Sequence, residues 1–362
     1  MHHLANPWRR RGLPEGPHLA SGTVVSDPSG VRALLAKCPK AAASPLLALP
    51  ALAETLGIGA LHAKDERDRL GLGSFKALGA THAIARAADE RVAAGTAESH
   101  ATALEGVTYV CASAGNHGLS MAAGARLFGA AAVVLIAATV PEAFAARLTA
   151  KGAQVIRHGA AYDDAMAEAR RLAVSEGWVL LSDSSWLGYT EPALAVMEGY
   201  LATAAEAASE LPSPPTHVFL QAGVGGFAAA VAGYLRRAWS DGPRIVVVEP
   251  EAAPCLTESL RSGFPRRVSG PDSAMGRLDC KEPSHLALAG LAESADDFVC
   301  VGERAVAETV AWLAAEGLAT TPSGAAGMAA IRHAGAVRAA LGLDRQARVL
   351  IWLTEGPETP HE

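Results

Sequence analysis

Lys76 stands in the stretch SFKALGA (74–80) among small and apolar residues, directly after the turn-rich run DERDRLGLG. An ammonium group is strongly hydrated and costly to bury, so a lysine on an ordinary helix surface keeps polar company. Two readings follow. The side chain can snorkel from an apolar face to water, or it is a desolvated, partly neutral amine able to form a Schiff base. Three other stretches bear on the choice. Ala114-Gly115-Asn116-His117-Gly118 follows the apolar run VTYVCAS and precedes a helical pattern. Its glycines permit a sharp turn and a close approach to a flat ligand, and the Asn116 amide donates and accepts in one plane. Gly223-Val224-Gly225-Gly226 closes the run THVFLQAG and opens the helical run FAAAVAGYLRRA. Backbone N–H groups and the helix field suit a phosphate there, although a tight turn with close packing would use the same glycines. Neither the GxGxxG dinucleotide fingerprint nor the P-loop GK[ST] is met, so a small phosphate ester is favoured over a nucleotide. In TTPSGAAG (320–327), Ser323 places a hydroxyl at a Gly-rich helix start, where the plain alternative is an N-cap.

An amine, a planar amide, a glycine phosphate cradle and a hydroxyl are together what pyridoxal 5′-phosphate requires. Its aldehyde needs the amine, its ring oxygen a donor, its phosphate a set of N–H groups and its pyridine nitrogen a partner.

These residues must be positioned by a scaffold, and the chain of 362 residues is long enough for two domains. Half of it is apolar and only 19% is charged, which supplies large cores. From about residue 105 onward, β-branched runs alternate with alanine-rich helical stretches. Strands are predicted at 107–113, 131–138, 153–159, 178–183, 216–223, 244–250, 297–302 and 348–356. Helical patterns such as NHGLSMAAGARLFG and PEAFAARLTAKG lie between them, each closing on glycine. Such alternation predicts an α/β class: two open, mostly parallel sheets with helices on both faces. The proline-rich segment ELPSPPT (210–216) is the clearest internal linker. Ligands in open sheets bind beyond the carboxyl ends of the strands, which is where the Asn116 and Gly223 loops fall.

The net charge of -6, with no basic block beyond WRRRG, argues against nucleic acid or an anionic membrane as partner. No apolar run reaches the ~20 residues of a membrane span, and MHHLANPWRRRG lacks the apolar core of a signal peptide, so a cytoplasmic location is expected. The five cysteines are scattered, with neither a CxxC pair nor metal-ligand spacing, and are expected to be reduced, mostly structural thiols.

The sequence resembles the fold-type II pyridoxal-phosphate enzymes, the tryptophan synthase β family, and within it the diaminopropionate ammonia-lyase branch. The pieces that carry the resemblance are KDERDRLGLGSFKALGA (64–80), ASAGNHG (112–118), SDSSWLGYTEPALAVMEGY (182–200), QAGVGGFAAAV (221–231), VVVEPEAAPCL (246–256), AMGRLDCKEPSHL (274–286), SGAAG (323–327) and TEGPETP (354–360), in family order along nearly the whole chain. SAGNHG is shared with many dehydratases, whereas WLGYTEP with MEGY is more specific to the ammonia-lyase branch. By this resemblance, Lys76 carries the cofactor, Asn116 bonds its ring hydroxyl, Gly223, Val224, Gly225 and Gly226 hold its phosphate, and Ser323 faces the pyridine nitrogen. A serine there, unlike an aspartate, does not hold the pyridine firmly protonated and favours prompt loss of a β leaving group. The same resemblance implies substrate contacts at Ser113, Ala114, Gly115, His117 and Tyr189, a homodimer, a larger cofactor-binding domain (1–83 and 205–362) and a smaller one (84–204).

The branch pattern carries two aspartates, and this chain keeps one. Asp183 matches the aspartate that handles the α-proton of the L-isomer; a helix cap or a solvated loop acid is its plain alternative. The position of the other, just before GNHG, is Ala114. The implied activity is α,β-elimination on a small L-amino acid such as 2,3-diaminopropionate, giving pyruvate and ammonia. Its rivals are a serine, threonine or 3-hydroxyaspartate dehydratase and a β-replacement synthase, and from another class a non-catalytic regulator that kept the fold.

Overall fold

The computed structural model describes residues 1–14 and 16–358; Thr359 and Pro360, the end of the TEGPETP motif, lie outside them. Eleven strands form two sheets among the described residues: β1 (His2–Ala5), β2 (Leu46–Ala48), β3 (Ala60–Asp65), β4 (Thr108–Ala112), β5 (Ala131–Ile136), β6 (Gln154–Arg157), β7 (Val179–Leu180), β8 (His217–Gln221), β9 (Arg244–Pro250), β10 (Asp297–Val301) and β11 (Arg348–Leu353). The larger sheet has the order β1-β10-β9-β8-β11-β3-β2, the smaller β6-β5-β4-β7. β10, β9, β8, β11 and β3 run parallel, with β1 and β2 antiparallel at the edges. The smaller sheet is parallel throughout. All eight predicted strands are present, each within its expected span. β8 and β10 are buried along their whole length and β9 and β11 in all but one residue, because helices cover both faces and the sequence need not alternate.

Three strands escaped the sequence reading. β3 reads ALHAKD, and its Lys64 is fully buried in register with Trp352. Its ammonium donates to Ser44 O at 2.5 Å and to Glu210 Oε1 at 2.9 Å, with Glu206 Oε2 at 3.1 Å. Both glutamates come from the helix Leu201–Glu210, so a distant partner permits a charge where the local pattern forbids one. β3 belongs to the strands that follow ELPSPPT: the linker separates segments of chain, and the larger sheet draws strands from both sides of it.

After β3 the chain makes the turn that ends in Lys76, and a second buried charge shapes it. Glu66 accepts from Ser44 Oγ at 2.6 Å, Thr203 Oγ1 at 2.5 Å and both Nε and Nη2 of Arg69, at 2.7 and 2.8 Å. The short 3₁₀ helix Phe75–Leu78 follows. Phe75 packs against Phe227 at 4.4 Å and edge-on to Tyr200 at 5.0 Å between centroids, which fixes the direction in which its neighbour Lys76 leaves the backbone. Two glycines allow this turn to lie close to the helix Glu191–Gly199: a Cβ on Gly199 would sit 2.1 Å from Leu78 O, and one on Gly79 2.7 Å from the Tyr200 hydroxyl.

Arg69→Met leaves the fully buried Glu66 without its cation. Breaking such a pair from one side costs about 3–5 kcal/mol, and chemical denaturation of the variant is expected to show a loss of that size.

Candidate active site

Five loops meet at the carboxyl ends of parallel strands: the Lys76 turn after β3, residues 113–118 after β4, Asp183 after β7, Gly223 to Gly226 after β8 and Glu355 after β11. The ends of the two sheets face one another there, and two of the contacts between them involve the predicted site residues. Lys76 Nζ donates to Asp183 Oδ2, and Asn116 Nδ2 donates to Glu355 Oε2 at 2.5 Å.

The Lys76–Asp183 pair bears on the two readings of Lys76, a snorkelling ammonium and a desolvated, partly neutral amine. Burial does push its ammonium toward the neutral form, but the Asp183 carboxylate outweighs that and raises the pKa above the ordinary lysine value. Burial likewise disfavours the Asp183 carboxylate, yet Lys76 and then His117 hold its pKa well below the usual range. The partners are 107 residues apart, so no local pattern announces them. The side chains are 21% and 20% exposed, close to solvent but not in it.

Asp183 is braced from both sides. The Tyr189 hydroxyl donates to Leu180 O and accepts from Ser182 N, both at 2.9 Å, and its ring stacks on Trp186 with centroids 4.1 Å apart. Its one donor is thus spent on the backbone that carries Asp183. Ser185 ties the same segment to the larger sheet: its hydroxyl lies 2.7 Å from Ser284 Oγ and accepts from Leu286 N at 2.9 Å. His117 is buried, with its pKa lowered by desolvation, and its Nε2–H donates to Leu181 O at 2.8 Å. In the loop before it, Ser113 Oγ accepts from Gly115 N at 3.2 Å and Gly118 N at 3.1 Å. Ala114 is exposed and brings no polar side chain.

The glycines form a cradle. Gly225 caps the helix Gly226–Trp239 at a φ of 97°, a left-handed conformation that glycine adopts without strain. A Cβ on Gly223 would meet Cys280 Sγ at 2.8 Å and Arg277 O at 3.2 Å. The Gly225 and Gly226 amides have no acceptor among the described residues, as the first turn of a helix requires. Ser323 is not a cap. Thr321 takes that role for the helix Pro322–Arg332, accepting from Gly324 N at 3.1 Å. Ser323 Oγ, buried, accepts from Arg277 N at 3.2 Å, which leaves its own proton free for an unprotonated ring nitrogen. An amine, an amide, free N–H groups at a helix start and a hydroxyl donor thus converge, and this set fits pyridoxal phosphate.

Three residues of the site went unassigned in the sequence. Glu355 is buried between Asn116 and Thr321, whose hydroxyl donates to its Oε1. Arg277 reaches it, with Nε 2.8 Å from Oε2. Cys280 lines the Gly223 turn, and burial pushes its thiol up to about 12, toward the protonated form. All three lie in motifs that carry the family resemblance, AMGRLDCKEPSHL and TEGPETP, and that position was the available signal.

Comparison with known proteins agrees with this geometry. The family described as "Pyridoxal-phosphate dependent enzyme" matches residues 39–355. The chain is 34% identical to the diaminopropionate ammonia-lyase of Salmonella typhimurium over 353 residues, covering 90% of this chain and 87% of that one. It is 30% identical to a chloroplastic threonine dehydratase of Solanum lycopersicum over 69% of this chain and 38% of that one. Among solved structures, diaminopropionate ammonia lyase from Escherichia coli in complex with an aminoacrylate–PLP azomethine reaction intermediate superposes with a TM-score of 0.84 at 28% identity, covering 98% of this chain and 93% of that one.

Asp183→Asn removes the carboxylate and leaves burial as the main influence on Lys76, so its amine should lose the proton at lower pH. In protein freed of cofactor, mass spectrometry after acylation at mildly alkaline pH is expected to find Lys76 modified faster in the variant than in the wild type.

Proposed function

Because this chain belongs to the family of pyridoxal-phosphate-dependent enzymes, and is a lyase of that family, we propose that it catalyses α,β-elimination on a small L-amino acid bearing an amino or related group at Cβ. 2,3-Diaminopropionate, named in the relatives above, is the first candidate: with one water it gives pyruvate and two ammonia. The direct contact of Lys76 with Asp183 carries the reading, since it places an amine and a single carboxylate together where two sheets meet.

Pyridoxal phosphate, when bound, supplies the carbonyl that condenses with amines and the ring that acidifies the substrate α-C–H. Lys76 Nζ is the amine that would hold the cofactor; once that bond takes Lys76 out of its ion pair with Asp183, Lys76 or Asp183 takes the α-proton. Asn116 is assigned to the ring hydroxyl, Gly223 to Gly226 to the phosphate and Ser323 to the pyridine nitrogen. Ser113 and His117 hold the loop on which the substrate carboxylate rests, and Tyr189 keeps Asp183 aimed. The exposed Ala114 offers no second acid or base, so only the L-isomer is served. A dehydratase of serine or a related hydroxy amino acid is the second reading; Ala114 favours it, because a diamino substrate loses one anionic partner there.

Pyruvate release from L- and D-2,3-diaminopropionate and from L- and D-serine tests this reading. Wild type should act on L-isomers alone, Lys76→Ala on none, and Ala114→Asp should gain D-activity, since a positioned acid–base group is worth about 10²–10⁴-fold. Equal wild-type rates on both enantiomers would sink the single-carboxylate reading; reaction of serine alone would decide for the dehydratase.

The resemblance further supports a cytoplasmic homodimer built of two domains, 1–83 with 205–362 and 84–204. No helix among the described residues is long and apolar enough to cross a membrane. Light scattering is expected to give the mass of two chains, and a monomer at working concentration would remove the dimer.

A further inference from the structure

Asn116 carries an amide with two chemically different ends, and only one of them can donate to an acceptor such as a ring oxygen. Something must decide which end faces the ligand. The amide Nδ2 lies 2.5 Å from Glu355 Oε2. An ionised carboxylate only accepts hydrogen bonds, so it draws the NH₂ end toward itself and excludes the flipped orientation. One N–H is consumed by this bond. The other N–H is left in a fixed direction.

Glu355 is itself held on every side. Only 4% of it is exposed. Thr321 donates to Oε1, Arg277 Nε lies 2.8 Å from Oε2, and Thr320 Oγ1 donates to the Glu355 carbonyl at 2.5 Å. Its backbone is stitched to the lysine turn: Ser74 and Glu355 form an antiparallel bridge, Phe75 N donates to Thr354 O at 3.0 Å and Gly356 N to Gly73 O at 3.0 Å. Two of its partners reach the other ring contact as well, since Thr321 caps the helix of Ser323 and Arg277 N donates to Ser323 Oγ. Burying a carboxylate here is unfavourable on its own, and desolvation does raise its pKa, with Arg277, Thr321 and Lys76 opposing the rise. A merely structural brace needs no charge next to an amide.

We propose that Glu355 is a positioning residue that acts through Asn116, fixing its amide so that an N–H is presented to the ring oxygen of pyridoxal phosphate. The proposal rests on the assignment of Asn116 to the ring. Glu355→Gln keeps the size and removes the charge; its own amide can present either end, so the Asn116 orientation is no longer enforced.

The test is a double-mutant cycle read by cofactor binding. Pyridoxal phosphate is removed from the holoenzyme and titrated back, following the visible absorption band, for wild type, Glu355→Gln, Asn116→Ala and the double variant, with the thermal midpoint of each cofactor-free protein as a control. Glu355→Gln is expected to weaken binding about 10-fold or more, the scale of a hydrogen bond to a charged group, and to shift the band. In the Asn116→Ala background the same change should do almost nothing. An equal loss in both backgrounds would overturn the proposal, because Glu355 would then act without Asn116. If Asn116→Ala binds the cofactor as wild type does, the ring assignment fails first and the proposal with it. Glu355→Asp, which keeps the charge but withdraws it by one methylene, provides the second variant should Glu355→Gln not fold. Its loss is likewise expected only when Asn116 is present.

Discussion

The salt bridge between Lys76 and Asp183 is the interaction around which the rest of the molecule is arranged. Taking two charges out of water costs several kcal/mol per ion, and a paired geometry does little more than recover that cost. An apolar pair would serve stability as well. The pair therefore makes sense as chemistry. Lys76 follows β3 of the larger sheet and Asp183 follows β7 of the smaller, so the contact forms only where the two sheets present their carboxyl ends to each other. The carboxylate also favours the charged form of the amine, against the pull of burial.

Such a pair needs a rigid mount on each side, and the two mounts are built differently. On the Asp183 side, small polar groups do the work: the Tyr189 hydroxyl, Ser185 with Ser284, and His117 Nε2 all bond the segment or its neighbours. On the Lys76 side the mount is buried charge and aromatic packing. The carboxylate of Glu66 gathers Arg69, Ser44 and Thr203, and Thr203 also accepts from the Trp352 indole at 3.0 Å. Trp352 in turn packs edge-on to Phe227, and Phe227 against Phe75. An uninterrupted set of contacts thus runs from a buried ion network to the residue beside the lysine. Half-satisfied, a network of this kind would be worse than an apolar core, which is why its geometry is so complete.

The sequence revealed what is local and concealed what is paired at a distance. Strands such as VVLI and IVVV were legible because both faces are buried and only β-branched and aliphatic residues fit them. β3 was not, because Lys64 in its middle reads as a surface residue until Glu206 and Glu210 are brought to it by the fold. The loops at strand ends were legible as glycine patterns, and Lys76, Asn116 and Ser323 stood out by type. Asp183 was reached through the resemblance, and its pairing with Lys76 could not be read, since neither flank hints at the other. Glu355 and Arg277 were hidden for a plainer reason. A carboxylate near a chain end and a guanidinium in a loop look solvated, and only the structure turns Glu355 inward onto Asn116 and Arg277 onto Glu355.

That concealment has a physical logic. The residues that touch a flat, doubly charged ligand must come from several strand ends at once, because no single loop can surround it. Their types can be guessed one by one, but their partners are supplied by topology. In this molecule β11 lies between β8 and β3, so the residue that follows it, Glu355, falls between the glycine cradle and the lysine turn, within reach of the Asn116 loop across the interface. Its carboxylate meets Asn116 and its backbone bridges Ser74 in the lysine turn. Its place in the strand order, more than its sequence neighbours, brings Glu355 from the backbone of the lysine turn to the amide of Asn116.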